Sequence, residues 1–241
     1  MEEPTRIILW DFDGTLAYKP GLWSGTLMKV LDMYVPDHKI NISQIKPYLQ
    51  KGFPWHKSDE SHHHLSTPES WWLQVEGVIA NAYVAVGVSQ ELSGELARLV
   101  HQHYIDSQSF ILFDDTISTL RYLSEQGWKN VILSNHVPEL PQIVEQLGLN
   151  QLIWNCISSA AIGYEKPHPE AFKIALSGFS NVSSVWMVGD SLEADVFGAQ
   201  KMNIPAILVH SAHSEDVKYY ASTLNDVITI IEDQTGAPYA G

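Results

Sequence analysis

The chain has 241 residues, 45% of them apolar, enough to bury a full core and too many for a disordered or low-complexity assembly. A formal charge of -14, from 28 acidic and 14 basic side chains, argues against nucleic acid and anionic membrane surfaces as partners. The longest apolar runs fall well short of a membrane span, no basic-then-apolar leader opens the sequence, and Cys156 is the single cysteine, so a cytoplasmic protein without internal disulfides is expected.

Ile7-Ile8-Leu9-Trp10 reads as a buried parallel strand that delivers Asp11 and Asp13 beside Gly14, a residue that permits a tight turn. The pattern then becomes helical. Trp23, Thr26, Leu27, Val30, Leu31 and Tyr34 recur at three and four, as on an amphipathic helix, and Ile42, Ile45, Tyr48 and Leu49 predict a second, shorter one. Residues 50–68, with Gly52, Pro54, Pro68 and several His and Ser, read as a loop. Trp72 to Val86 and Leu92 to His103 predict two more helices, the latter with Ser89 as N-cap. Residues 17–105 are therefore expected to form an all-helical insertion.

Helix and strand alternate from there. A helix through Ile117, Leu120 and Leu123 ends at Gly127, and Val131-Ile132-Leu133 is a short buried strand leading to Ser134-Asn135. A helix through Ile143 and Val144 stops at Gly148, and Ile153 to Ile157 is a weaker strand. His168-Pro169-Glu170 opens a helix through Phe172, Ala175 and Leu176, with Pro at its first position. Val185-Trp186-Met187-Val188 is a strand ending in Gly189-Asp190, a helix leads to Asn203, and Ala206 to Val209 form a further strand. Leu224, Val227, Ile228 and Ile231 fall at helical spacing. This alternation predicts an α/β fold, a doubly wound parallel sheet flanked by helices.

Parallel strands with right-handed crossovers end on one edge, so Asp11 and Asp13, Ser134 and Asn135, and Asp190 can converge there. Taken singly, each has a plainer role: Ser134-Asn135 as a turn cap, Lys166 as a solvated lysine, Asp190 and Asp195 as an N-cap and an exposed helical residue. Their order at successive strand ends favours a site. Two carboxylates about 4 Å apart repel by roughly 4 kcal/mol at the effective dielectric of a protein surface. A hard divalent cation with oxygen ligands is the usual offset.

These residues resemble the haloacid dehalogenase-like (HAD) hydrolase superfamily. Asp11-Phe12-Asp13-Gly14-Thr15-Leu16 is similar to its first motif, Leu133-Ser134-Asn135 to the second, Lys166-Pro167 to the third and Gly189-Asp190-Ser191-Leu192-Glu193-Ala194-Asp195 to the fourth. The resemblance spans the chain and implies a Rossmann-like core from residues 1–16 and 106–241, with 17–105 as an inserted all-α cap domain. It implies Asp11 as nucleophile toward phosphorus and Asp13 as general acid and base. It implies Mg2+ held by Asp11, Asp190 and Asp13 through its backbone carbonyl, and Ser134 and Asn135 binding the phosphoryl group. Lys166 would pair with Asp11 and the phosphate, and Asp195 would support it. Relatives that cleave carbon–halide bonds lack an acid at the Asp13 position, so its presence favours phosphate esters.

The implied function is a Mg2+-dependent phosphatase acting on a small phosphorylated metabolite. The alternatives are a phosphomutase of sugar phosphates or a catalytically silent binding protein on the same scaffold. Oligomeric state stays open between monomer and weak dimer. Within the cap, Trp23, Trp55, Trp71 and Trp72 are expected to form core rather than a substrate platform. His56, His62, His63 and His64 match no zinc spacing and are expected in a solvated loop, and Lys19, Lys51 and Lys57 at the surface.

Overall fold

The computed structural model describes residues 4–212 and 214–236. In chain order the elements are β1 (Thr5–Trp10), β2 (Ala17–Tyr18), α1 (Leu22–Tyr34), α2 (Ile42–Ile45), α3 (Pro68–Ala85), α4 (Gln90–Tyr104), β3 (Ile111–Leu112), α5 (Thr116–Glu125) and β4 (Trp128–Ser134). There follow α6 (Leu140–Gln146), β5 (Asn155–Ser158), α7 (Ser159–Ile162), α8 (Pro169–Leu176), β6 (Val182–Gly189), α9 (Gly198–Gln200), β7 (Ala206–Val209), β8 (Tyr219–Ala221) and α10 (Leu224–Thr235).

Six strands form one parallel sheet in the order β5-β4-β1-β6-β7-β8, flanked by helices. The apolar run of β1 is buried on both faces, as a central parallel strand requires. Ile8 and Trp10 pack to one side with Leu120 of α5 and Val227 of α10. Ile7 and Leu9 pack to the other with Phe172 of α8 and Val196. One polar group sits inside without strain: Asn130 accepts from the Trp10 indole at 3.0 Å and donates to the Leu120 carbonyl at 2.9 Å. The chain leaves β1 toward β4 on one side and returns to β6 on the other. That reversal of strand order opens the crevice where such sheets bind ligands.

Helices α1 to α4 form a block whose apolar faces meet Phe53, Leu65, Trp71 and Tyr83. Ser89 caps α4 as its sequence predicts, accepting from the Leu92 N–H, and Thr67 caps α3 with Pro68 at the first position. Pro47 shortens the second predicted helix, because a proline within a helix removes a donor: α2 stops at Ile45 and Lys46–Leu49 continues as a 3₁₀ turn. Residues 50–68 are more ordered than a loop, with 3₁₀ turns at Pro54–Lys57 and His63–Leu65.

The two connections to this block pair with each other as the antiparallel ribbon β2–β3. Lys19 lies beside it and is not a surface lysine: it is 6% exposed, donates to the Tyr104 carbonyl at 2.6 Å and the Ser109 hydroxyl at 2.7 Å, and sits over the Tyr104 and Phe110 rings. Burial pushes its ammonium down to about 8, against the opposing pull of Asp13 and Asp106. Among the described residues no helix is long and apolar enough to cross a membrane.

Candidate active site

Strand register brings the predicted residues together. Trp10 pairs with Ile132 on one side and Val188 on the other, so Asp11 comes level with Leu133 and Gly189, and Ser134 and Asp190 follow one residue on where the three strands end. The Asp11 N–H donates to the Val188 carbonyl at 2.9 Å, carrying the β1–β6 ladder one residue further. The chain then turns, with the Leu16 N–H bonded to the Phe12 carbonyl and Gly14 at φ +80°. A Cβ on Gly14 would stand 2.2 Å from Asp190 Oδ2, so only glycine lets the first turn approach that carboxylate. Gly189 is under the same constraint: a Cβ there would stand 2.1 Å from Asp195 Oδ2.

Lys166 enters on the loop between α7 and α8. It is 2% exposed, and its ammonium donates to Asp11 Oδ1 at 2.8 Å and Asp195 Oδ1 at 2.5 Å. Burial alone would lower its pKa, but the carboxylates of Asp11 and Asp195 outweigh it and hold the ammonium above the usual lysine value. Asp195 sits in the π-helical turn Leu192–Phe197, where its Oδ2 accepts from the Ser191 N–H at 3.0 Å. The Asn135 side chain grips the Lys166 backbone, accepting from its N–H at 2.7 Å and donating to its carbonyl at 2.8 Å. Asn135 is thus a brace for Lys166, and its amide is already paired. Ser134 is 1% exposed and lines the cavity.

One carboxylate oxygen from each of Asp11, Asp190 and Asp195 lies within 4.8 Å of the others. Burial, then the negative charges of Asp11 and Asp195, push the Asp190 carboxyl up to about 7 against the pull of Lys166. Burial and Asp11 push Asp195 up to about 6, with Lys166 again opposing. Acids held this far above their ordinary range mark negative charge that the protein alone leaves uncompensated, and an all-oxygen donor set fits a hard divalent cation. Asp13 points elsewhere: its Oδ2 is 3.3 Å from His136 Nε2, while its Oδ1 and both ring nitrogens of His136 are buried without a hydrogen-bond partner.

His136, 2% exposed and ringed by Phe12, Tyr104 and Phe110, was not singled out from the sequence. Its one sequence signal is its place directly after Ser134-Asn135. His62 also departs from expectation. It is 7% exposed, and its Nδ1 lies 2.6 Å from Glu165 Oε2, so it belongs to a buried contact between the helical block and the loop bearing Lys166. His56 and His64 are exposed, as a solvated loop requires. The four tryptophans divide: Trp71 and Trp72 are buried in the helical block, whereas Trp23 and Trp55 also line a cavity of about 520 Å³ over Asp11, Asp13 and Lys166.

Residues 5–203 match the family model described as haloacid dehalogenase-like hydrolase. The chain belongs to this family. It is 30% identical over 125 residues to glyceraldehyde 3-phosphate phosphatase of Methanothermobacter thermautotrophicus, covering 50% of this chain and 54% of that protein. It is 31% identical over 115 residues to ribulose-1,5-bisphosphate 5-phosphatase of Halopiger xanaduensis, covering 47% of each. The match thus spans about half the length of these curated relatives. A longer match, 24% identical over 215 residues, joins it to human haloacid dehalogenase-like hydrolase domain-containing protein 3, covering 85% of this chain and 81% of that one. In fold it is similar to the putative HAD-hydrolase YfnB of Bacillus subtilis, with TM-score 0.72, 18% identity, and coverage of 95% of this chain and 99% of that one. A 2-haloacid dehalogenase of Pseudomonas syringae has TM-score 0.68 at 18% identity and the same coverage. At such identities these structures speak to the fold of this HAD hydrolase alone.

Proposed function

We propose that this HAD hydrolase is a divalent-cation-dependent phosphatase that releases phosphate from a small phosphomonoester through an aspartyl-phosphate on Asp11. The observation that carries the reading is the Asp11–Lys166–Asp195 chain of hydrogen bonds at one sheet edge, in a cavity that a second acid, Asp13, also lines. Phosphatase activity in relatives from Methanothermobacter and Halopiger supports the same class of substrate.

In this mechanism an Asp11 carboxylate oxygen attacks phosphorus and the bond from phosphorus to the ester oxygen breaks. Asp13 gives its proton to the departing oxygen. Asp13 then takes a proton from water, which attacks the phosphorus of the acyl phosphate, and Asp11 is regenerated with release of inorganic phosphate. Lys166 holds Asp11 in place and keeps fixed positive charge where the phosphoryl oxygens gather negative charge. Ser134 offers its hydroxyl to those oxygens, and Asn135 fixes the Lys166 backbone. Mg2+, held by Asp11, Asp190 and the Asp13 main-chain carbonyl, would supply Lewis-acid neutralisation of the phosphoryl group. Residues 17–105 act as a cap that closes over the site and shields it from bulk solvent, in the reducing setting of a cytoplasm.

The deciding test is phosphate release from a panel of phosphomonoesters by the protein and by Asp11→Asn, with Mg2+ and with EDTA. The protein with Mg2+ should turn over, and Asp11→Asn and EDTA should each abolish turnover while circular dichroism stays unchanged. Undiminished hydrolysis by Asp11→Asn would overturn the assignment.

A further inference from the structure

We infer that the ester this site takes carries an uncharged, flat organic group, an aryl ring or a nucleobase, and not a second phosphate or a carboxylate. This rests on the phosphatase reading for the reacting end of the substrate; the other end is read from the cavity itself.

Among the described residues, the charged side chains lining the cavity are the acids Asp11, Asp13, Glu193 and Asp195 and the cation Lys166; the His136 imidazole also lines it, with its Nε2 turned to Asp13 Oδ2 at 3.3 Å. Lys166 is already bonded to Asp11 and Asp195, and the phosphoryl group would claim what remains of its charge. The helical block adds only Leu22, Trp23, Trp55, Ser58 and Tyr104, none of them charged. A second anion bound there would lose its hydration and meet carboxylates instead of a counter-charge, and burying an unpaired charge is strongly unfavourable. The adjoining cavity behind Leu22 and Trp23 holds Lys19 and Lys46. Lys19 is spent on two carbonyls and the Ser109 hydroxyl, and Lys46 lies at the exposed surface.

What this wall offers is aromatic surface. Trp23 stacks on Tyr104 with centroids 3.8 Å apart and planes 12° from parallel. Trp55 stacks on Phe53 at 4.7 Å and 13°. Both tryptophans keep part of their surface exposed to the cavity while a second ring fixes their orientation. Rings held in place lose little freedom when a flat group lies against them, and stacking or edge-on contact then adds to burial. A cavity of about 520 Å³ has the size of a small-molecule site and room for a ring beside the phosphoryl group.

The test compares phenyl phosphate, a nucleoside monophosphate, glycerol phosphate and a hexose bisphosphate as substrates with Mg2+ present, and titrates each against tryptophan fluorescence to read binding apart from turnover. The flat esters should exceed glycerol phosphate in kcat/KM by about tenfold and the bisphosphate by more. Trp55→Ala should shrink the phenyl-to-glycerol ratio about tenfold, and Trp55→Phe, which keeps a ring and guards against a folding defect, should retain it. Ser58→Arg, which adds a cation at the wall, should raise kcat/KM for the bisphosphate. Turnover that favours the bisphosphate or glycerol phosphate, or a Trp55→Ala loss equal on every ester, would overturn the inference and leave the phosphatase reading standing. Tighter binding of phenyl phosphate with no phosphate released from any ester would do the reverse.

Discussion

Asp195 accepts a hydrogen bond from the Lys166 ammonium over 2.5 Å, and each side chain is 1% exposed. The second Asp195 oxygen accepts from the Ser191 N–H, so both ends of this carboxylate are held in place. It fixes Lys166, and Lys166 in turn fixes Asp11. Asp195→Ala leaves a buried ammonium with one partner instead of two, and removing one member of a buried ion pair costs about 3–5 kcal/mol. Asp195→Asn keeps the shape and loses the charge. It should cost less stability than Ala, yet still lower phosphate release by about 10–100-fold, as the loss of an orienting partner does. Urea unfolding and steady-state kinetics measured side by side check both statements, and full activity in Asp195→Asn would contradict them.

Gly14 and Asp190 are coupled by space. Gly14→Ala places a Cβ at φ +80° and within 2.2 Å of Asp190 Oδ2, so the turn or the carboxylate must move. A left-handed backbone position alone penalises alanine by about 1 kcal/mol. Displacing Asp190 should also raise the Mg2+ concentration needed for half-maximal thermal stabilisation. Scanning calorimetry across a Mg2+ series reads both effects. An unchanged Mg2+ requirement would show that Asp190 can retreat without consequence.

The core was legible because β1, β4, β6 and β7 each carry a short apolar run that is buried on both faces. The site was legible because its residues lie directly after those runs, where the sheet edge gathers them. Pairings across long sequence separations left no such trace. The β2–β3 ribbon joins two-residue strands on either side of the helical block, and β8 is only three residues long. Lys19 follows the two-residue strand β2 and looks like any exposed lysine until the fold brings Tyr104 and Ser109 to its ammonium. His62 sits in a polar stretch, and only Glu165, 103 residues away, explains its burial. Composition predicted core for all four tryptophans; geometry turned Trp23 and Trp55 partly toward the cavity.

The His62–Glu165 contact ties the helical block to the residue just before Lys166. Burial raises the Glu165 carboxyl above its ordinary 4.5, and the hydrogen bond and charge of His62 oppose that rise. His62→Ala removes the opposition, so Glu165 should titrate higher still. An acid whose folded pKa exceeds its unfolded one contributes stability that is complete below the unfolded value and is lost as pH rises through the folded one. The stability deficit of His62→Ala should therefore be larger near about pH 8 than near about pH 5, where the folded variant can keep Glu165 protonated. Thermal melts of both proteins at the two pH values test this, and a deficit independent of pH would count against it.

Asp190 gives the complementary prediction for the cation. Without metal its carboxyl is pushed up to about 7 from 3.8, so the folded protein retains a proton that the unfolded chain has released. That contribution to stability is complete below the unfolded value and disappears as pH climbs through about 7. A divalent cation must displace the proton to bind, so its affinity should rise over the same interval. At one fixed Mg2+ concentration the gain in Tm should be larger near about pH 8 than near about pH 6, because stabilisation follows the ratio of free ligand to Kd. EDTA should erase the difference between the two curves. Equal gains at both pH values would mean that Asp190 does not surrender a proton when the cation binds, and would remove it from the set of ligands.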